Sequence, residues 1–168
     1  KKRLLAWAIH LGSRFMDTVY DGRRPSALGW KLADKLVFSK VREAFGGRVK
    51  VFVSGGAPLG IDTARWFASV GIALWEGYGL TETSGGTCIN RPERNKYWTV
   101  GEPLDMEIRI ASDGEILIRG DGLMLGYWNL PEETAQAIDS EGWFHSGDIG
   151  EFEGTNLKIT DRKKDLIR

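Results

Sequence analysis

Apolar residues Leu4, Ala8, Leu11, Phe15 and Val19 recur at steps of three and four, the spacing of one helical face, until Asp21-Gly22 and Pro25 close the run. A second helix is expected over "WKLADKLVFSKVREAF". Leu32, Leu36, Val37, Val41, Ala44 and Phe45 form its predicted apolar side, and Gly46-Gly47 supplies the left-handed conformation that ends it. The period then shortens. "RVKVFVSGG" alternates Val49, Val51 and Val53, is β-branched, and breaks at Ser54-Gly55-Gly56, which predicts a strand. After "APLG" a third helix is expected from Ile61 to about Val70, stopped by Gly71, and "IALWEGYG" reads as a strand running into the glycine-rich stretch "GYGLTETSGG". Helix, strand, helix, strand in this order is the pattern of an α/β layer built on a parallel sheet.

Near Gly101 the pattern changes. "MEIRIASDGEILIRG" predicts two short alternating strands around the turn Ala111-Ser112-Asp113-Gly114. "PEETAQAI" predicts a short helix, with Pro131 in its first turn and Glu132 and Glu133 favouring the positive end of its dipole. "GWFHSGDIGEFEGTNLKIT" then reads as two more strands joined by a glycine turn. The expected organisation is an α/β part over 1–100, a β-rich part over 101–160, and a basic run over 161–168. No internal repeat or low-complexity tract interrupts it.

Composition narrows the class. At 168 residues the chain has the length of one domain or slightly more, and 42% hydrophobic residues with seven tryptophans suit a packed core. No apolar run approaches the roughly 18 residues of a membrane span. Lysine plus arginine and aspartate plus glutamate both total 23, so net charge points to neither nucleic acid nor an anionic membrane. The single cysteine, Cys88, excludes an internal disulfide framework and reads as a small residue packed in a strand, in keeping with a reducing compartment. Residues 1–12 begin in the basic, apolar style of an export signal, but Ser13, Arg14 and Asp17 continue a helix instead of a cleavage site. A cytoplasmic location is expected, with peripheral membrane association as the alternative. The chain starts without methionine and stops within the basic run "DRKKDLIR", so an internal piece of a longer protein is expected.

Two glycine clusters each follow a predicted strand, the position at which α/β sheets hold ligands. In "SGGAP" (Ser54 to Pro58) and "GYGLTETSGG" (Gly77 to Gly86), glycines let backbone N–H groups approach a phosphate or nucleotide, although a plain strand-to-helix turn has the same composition. The second cluster adds Tyr78 as a flat face for a base, Thr81 and Thr83 as hydroxyl donors to phosphate, and Glu82 as a hard oxygen ligand for magnesium. In "HSGDIG", Asp148 sits between glycines, either as a turn residue or as a carboxylate able to accept two hydrogen bonds from a cis diol. "TDRKKDLIR" clusters basic residues around Asp161 and Asp165, which as a lone feature is a solvated charged turn. Other chemistries lack their residues. With only His10 and His145, a histidine-rich metal site is unsupported, and no Gly-x-Ser-x-Gly, Gly-x-x-x-x-Gly-Lys or helix-opening Gly-x-Gly-x-x-Gly occurs.

Taken in order, "SGGAPL", "EGYGLTETSGG", "GEILIRG…MLGYWNLPEET…GWFHSGDIG" and "ITDRKKDLI" resemble the core motifs of AMP-forming acyl-CoA synthetases, in the adenylate-forming ligase superfamily, and most of all its long-chain fatty acid branch. The resemblance runs from about Val51 to Arg168, and "YDGRRPSALGWKLADKLVFSKVREAFGG" adds to it less specifically. It implies a large α/β layered subdomain, then a β-rich, distorted barrel-like subdomain, then a hinge to a C-terminal lid. It also implies a two-step activity with ATP, magnesium, a fatty acid and coenzyme A, in which acyl-adenylate forms with release of pyrophosphate and the acyl group passes to the thiol.

Residue by residue, the resemblance implies that Thr81, Glu82 and Lys164 are catalytic. Glu82 would bind magnesium, Thr81 would touch a phosphate oxygen, and Lys164 would sit at the pivot of a hinge spanning Asp161 to Leu166. Tyr78 would stack on adenine, and Gly55, Gly56, Ala57, Pro58, Glu76, Gly77 and Gly79 would line the nucleotide and acyl pocket. Asp148 and Arg162 would hold the ribose hydroxyls. The family's phosphate loop and its lid lysine are not among these residues, so the 168-residue chain alone is expected to be inactive. Two alternatives stand beside this reading: an aryl- or amino-acid-activating ligase of the same superfamily, and a non-catalytic nucleotide-binding scaffold.

Overall fold

A computed structural model describes residues 2–164. They form two compact units, 2–76 with 90–98 and 77–89 with 99–164.

The first unit is mostly helical. Helix α1 (Lys2–Gly12) runs through a 3₁₀ turn into α2 (Met16–Tyr20), and α3 (Leu28–Ala33) continues through a π turn at Asp34–Phe38 into α4 (Ser39–Glu43). Strand β1 (Phe52–Ser54), helix α5 (Ile61–Ser69) and strand β2 (Leu74–Leu80) follow. β1 pairs parallel with the start of β2, Phe52 opposite Leu74 and Ser54 opposite Glu76, which is the expected strand–helix–strand crossover. The core gathers Ala8, Val19, Tyr20, Trp30, Ala33, Phe38, Ala68 and Trp75, and the Trp75 indole donates to the Tyr20 carbonyl at 2.7 Å.

Two predicted faces differ from those observed. In the second helical run, Trp30, Ala33, Val37 and Phe38 are buried, while Leu32 and Leu36 are exposed. The run carries two apolar stripes, and the one holding the larger aromatic surface goes inward: Trp30 packs on Phe38 with ring centroids 4.9 Å apart. Similarly, Val49, Val51 and Val53 lie exposed, and Phe52 is the residue of that segment packed against the core. Alternation alone could not choose between faces, because Val51, Phe52 and Val53 are apolar on both.

The second unit is built from antiparallel strands. The end of β2 pairs with β3 (Gly85–Ile89), which pairs with β4 (Glu102–Pro103). The other sheet runs in order through β5 (Glu107–Ile110), β6 (Glu115–Arg119), β7 (Phe144–Glu153) and β8 (Asn156–Arg162), with α6 (Pro131–Ala137) between β6 and β7. The β5–β6 hairpin closes at the predicted turn, where the Gly114 N–H donates to the Ala111 carbonyl at 2.9 Å. Tyr78, Cys88, Met106, Ile116, Ile118, Phe144 and Leu157 form the core. Cys88 is buried in β3, and burial pushes its thiol pKa up to about 12, so it is an inert packing residue.

At Gly12 helix α1 lies close against α5. A Cβ there would lie 1.8 Å from the Ser69 carbonyl oxygen of α5. In a free helix Gly→Ala would stabilise by about 1 kcal/mol. Here Gly12→Ala is expected to destabilise by about 1–3 kcal/mol through overpacking, seen as a lower denaturant midpoint; an unchanged or raised midpoint contradicts the crossing.

Candidate functional site

"GYGLTETSGG" is not a loose loop. Gly77, Tyr78, Gly79 and Leu80 complete β2, Thr81–Thr83 make one 3₁₀ turn, Ser84 takes a left-handed conformation (φ 56°), and Gly85 begins β3. Gly79 is required by the close return of the chain, since a Cβ on it would meet the Gly85 carbonyl oxygen at 1.7 Å. Thr83 is nearly inaccessible at 3%. Its hydroxyl donates to the Leu80 carbonyl (3.1 Å) and accepts from the Leu80 N–H (3.0 Å) and the Thr87 hydroxyl (2.8 Å). The expectation that Thr83 offers its hydroxyl to phosphate is therefore corrected: the hydroxyl is spent holding the corner. Thr81 is exposed at the apex of the same corner.

Glu82, next to it, is half-buried, and its Oε1 accepts from the Tyr127 hydroxyl at 2.9 Å while its backbone carbonyl accepts from the Met124 N–H at 2.8 Å. Tyr127 belongs to "MLGYWNLPEET", a segment to which the sequence reading assigns no site residue. The carboxylate raises the Tyr127 pKa, secondary to desolvation. A carboxylate has roughly four acceptor positions, so the Tyr127 bond leaves capacity for a cation. Among the described residues no group of three or more His, Cys, Asp or Glu side chains gathers to hold a metal ion by itself.

Asp148 is not in a tight turn, as expected from its flanking glycines, but inside β7, opposite Arg162 of β8, and it is 3% exposed. Its Oδ2 accepts from the Tyr78 hydroxyl at 2.7 Å, and its Oδ1 lies 3.1 Å from Arg162 Nε. Residues from "EGYG", "HSGD" and "TDRKK" thus meet at one buried carboxylate. Tyr78 is itself 8% exposed, and burial first, then Asp148, pushes its hydroxyl pKa well above the ordinary tyrosine value. The phenol stays protonated and donates.

In the first unit, Gly55, Gly56, Ala57 and Pro58 are exposed on the loop after β1, with Gly56 at φ 82°. That loop is tied to β2 where the Leu59 N–H donates to Glu76 Oε1 at 3.1 Å. Burial raises the Glu76 pKa, and the Leu59 hydrogen bond opposes the shift. A cleft of about 810 Å³ in this unit is walled by Arg23, Arg42, Arg48, Trp30, Phe52 and Trp75. None of the predicted site residues lines it. Lys164 is described and exposed, whereas Asp165 and Leu166 of the expected hinge lie outside the described residues.

One buried charge was missed by the sequence reading. Glu115 opens β6 ahead of the apolar run Ile116-Leu117-Ile118 and is 5% exposed. Its Oε2 meets Lys163 Nζ at 2.8 Å and His145 Nδ1 at 3.1 Å, and its Oε1 accepts from the Gly147 N–H at 3.0 Å. The only signal was a glutamate directly after a hairpin turn, which reads as a solvated strand end.

A family profile described as AMP-binding enzyme matches residues 13–128. The long-chain-fatty-acid–CoA ligase FadD15 of Mycobacterium bovis is 44% identical over 136 residues, 80% of this chain and 22% of that protein. The putative fatty-acid–CoA ligase fadD11 of Mycobacterium tuberculosis is 38% identical over 173 residues, 99% of this chain and 30% of that protein. Among solved structures, ATP-bound MatB from Rhodopseudomonas palustris matches with a TM-score of 0.66 and 32% identity, over 74% of this chain and 27% of that one. The chain therefore spans under a third of the length of these relatives.

The charge balance of Glu115 sets a pH dependence. Burial alone would raise its pKa, but Lys163, His145 and the Gly147 N–H together hold it below the ordinary glutamate value. A carboxyl depressed on folding adds stability above its unfolded pKa of about 4.3, and that stability is lost as pH falls through the folded value. Glu115→Gln is expected to flatten the fall in unfolding midpoint below about pH 4.3; an acid limb as steep as in the unmodified chain contradicts this balance.

Proposed function

This chain belongs to the AMP-binding enzyme family, and we propose that the whole protein is a long-chain fatty acid–CoA ligase that works through an acyl-adenylate. In the first step a carboxylate oxygen attacks the α-phosphorus of ATP and pyrophosphate leaves. In the second, the thiol of coenzyme A attacks the acyl carbon and AMP leaves with the bridging oxygen. The observation that carries the reading is the meeting of Tyr78, Asp148 and Arg162, from three separated motifs, at one buried carboxylate.

In this reading Asp148 and Arg162 hold the ribose hydroxyls. The Asp148 carboxylate already accepts from Tyr78 and Arg162, and its remaining lone pairs suffice for a diol. Tyr78 is assigned to stacking on adenine, with Gly77 and Gly79 beside it in the second unit, and Gly55, Gly56, Ala57, Pro58 and Glu76 of the first unit are assigned to nucleotide and acyl contacts. Thr81, exposed at the corner, offers its hydroxyl to a phosphate oxygen.

Magnesium suits sites of one or two carboxylates completed by substrate phosphates, and the half-buried Glu82 fits that description. Its chemistry there would be neutralisation of phosphate charge. Lys164 is assigned to the hinge pivot, which lets a lid exchange positions between the two steps. No helix among the described residues is long and apolar enough to cross a membrane, and we assign the protein to the cytoplasm, with any membrane contact peripheral.

The reading is tested on the whole protein by pyrophosphate release with fatty acids of graded length, benzoate and acetate. Release favouring long acyl chains is expected; preference for benzoate favours the aryl-activating alternative, and no release with any acid favours the scaffold. Glu82→Ala is expected to lower adenylation by about a hundredfold or more. Asp148→Ala removes charge-assisted hydrogen bonds of about 1.5–3 kcal/mol each and is expected to raise the ATP requirement at least tenfold; an unchanged response to ATP removes Asp148 from the ribose site.

A further inference from the structure

The Glu115 assembly lies beside Asp148 and Arg162 and is not used by the reaction as proposed. Its geometry grips one residue twice. Lys163 Nζ reaches Glu115 Oε2 and Asp113 Oδ2, each at 2.8 Å, and the Lys163 backbone N–H donates to the Gly147 carbonyl at 2.8 Å. The Gly147 N–H in turn donates to Glu115 Oε1 at 3.0 Å. One buried carboxylate therefore holds Lys163 directly through its ammonium and indirectly through Gly147, the residue on whose carbonyl the Lys163 backbone rests.

The neighbours of these two residues matter. Gly147 precedes Asp148, and Lys163 follows Arg162. The Arg162 side chain is 67% exposed, and its Nε has the Asp148 carboxylate as partner at 3.1 Å. An ion pair with one member so exposed is weak and screened by salt, so it does not by itself keep a long side chain in one place. Lys163, whose side chain is 43% exposed, is held at more points: its ammonium meets two carboxylates and its backbone N–H meets the Gly147 carbonyl. Glu115 must be matched by donors, and losing them is costly, which makes its grip on Lys163 directional.

We propose that Lys163 is a positioning residue: the latch closed on it by Asp113 and Glu115 fixes the chain at 162–164 against β7 and so keeps Arg162 on Asp148. The proposal rests on the reading of Asp148 and Arg162 as the ribose site. It also gives Lys164, the next residue, an anchored side against which a lid can turn.

The test uses the whole protein with Lys163→Met, Lys163→Arg, and the double variant Asp113→Asn/Glu115→Gln, which opens the latch from its other side. The latch predicts that Lys163→Met and the double variant raise the KM for ATP by about tenfold while the KM for the acid is unchanged, and that Lys163→Arg restores most of the loss. Amide hydrogen exchange, which needs no activity, should quicken about tenfold or more in 159–164 and stay unchanged in β5 and β6. An unchanged KM for ATP beside an active unmodified protein overturns the latch, and so does faster exchange spread evenly over the second unit, the mark of a merely structural role. If the unmodified protein releases no pyrophosphate, the ligase reading fails, and the exchange pattern alone then decides the latch.

Discussion

The hydrogen bond from Tyr78 to Asp148 joins positions 70 residues apart in the chain, and the arrangement of the second unit depends on it. A carboxylate that is 3% exposed needs donors, and a phenol buried in an apolar cluster needs an acceptor; each satisfies the other's requirement. For the bond to form, β2 must continue as a strand through Gly77 and Tyr78, and the chain must turn back at once, which only Gly79 allows. Asp148 must likewise stay within a paired strand. The glycines around these residues serve close backbone approach more than flexibility.

Around that bond the polar groups divide into two kinds. Thr83, Cys88 and Glu115 are turned inward and spent on the protein itself, holding a corner, filling a core and gripping a neighbouring strand. Thr81, Glu82 and Arg162 stay exposed or half-buried at the ends of the elements that the first group fixes. The proposed neutralisation of phosphate charge would draw on this division, because preorganised groups cost no rearrangement when charge develops. Within the first unit, the Leu59–Glu76 hydrogen bond does the same for the loop holding Gly55 to Pro58.

Much of this was legible in the residues. The parallel strand–helix–strand crossover, the hairpin at Ala111–Gly114, the short helix opened by Pro131 and the hairpin turning at Gly154 follow from local pattern and turn chemistry. What was not legible depended on tertiary choice. Leu32 and Val51 read as core, yet the helical stripe carrying Trp30 and Phe38 and the strand face carrying Phe52 turned inward, because the larger aromatic surface gains more from burial. Thr83 looked like a ligand, since a hydroxyl type does not reveal that its bonds close the corner with Leu80 and Thr87, and Glu115 looked like a solvated strand end, since a contact across 30 residues, as between Glu115 and His145, leaves no local trace. The meeting of Tyr78, Asp148 and Arg162 was foreshadowed only by the family resemblance of their motifs, not by their spacing.

The central claim is that the protein activates its acid by joining a carboxylate oxygen to the α-phosphorus of ATP. The most direct measurement follows that oxygen. With a long-chain fatty acid labelled in its carboxylate with heavy oxygen, the whole protein, ATP and coenzyme A should yield AMP carrying one labelled oxygen. AMP without label, or label recovered in pyrophosphate, would contradict the account.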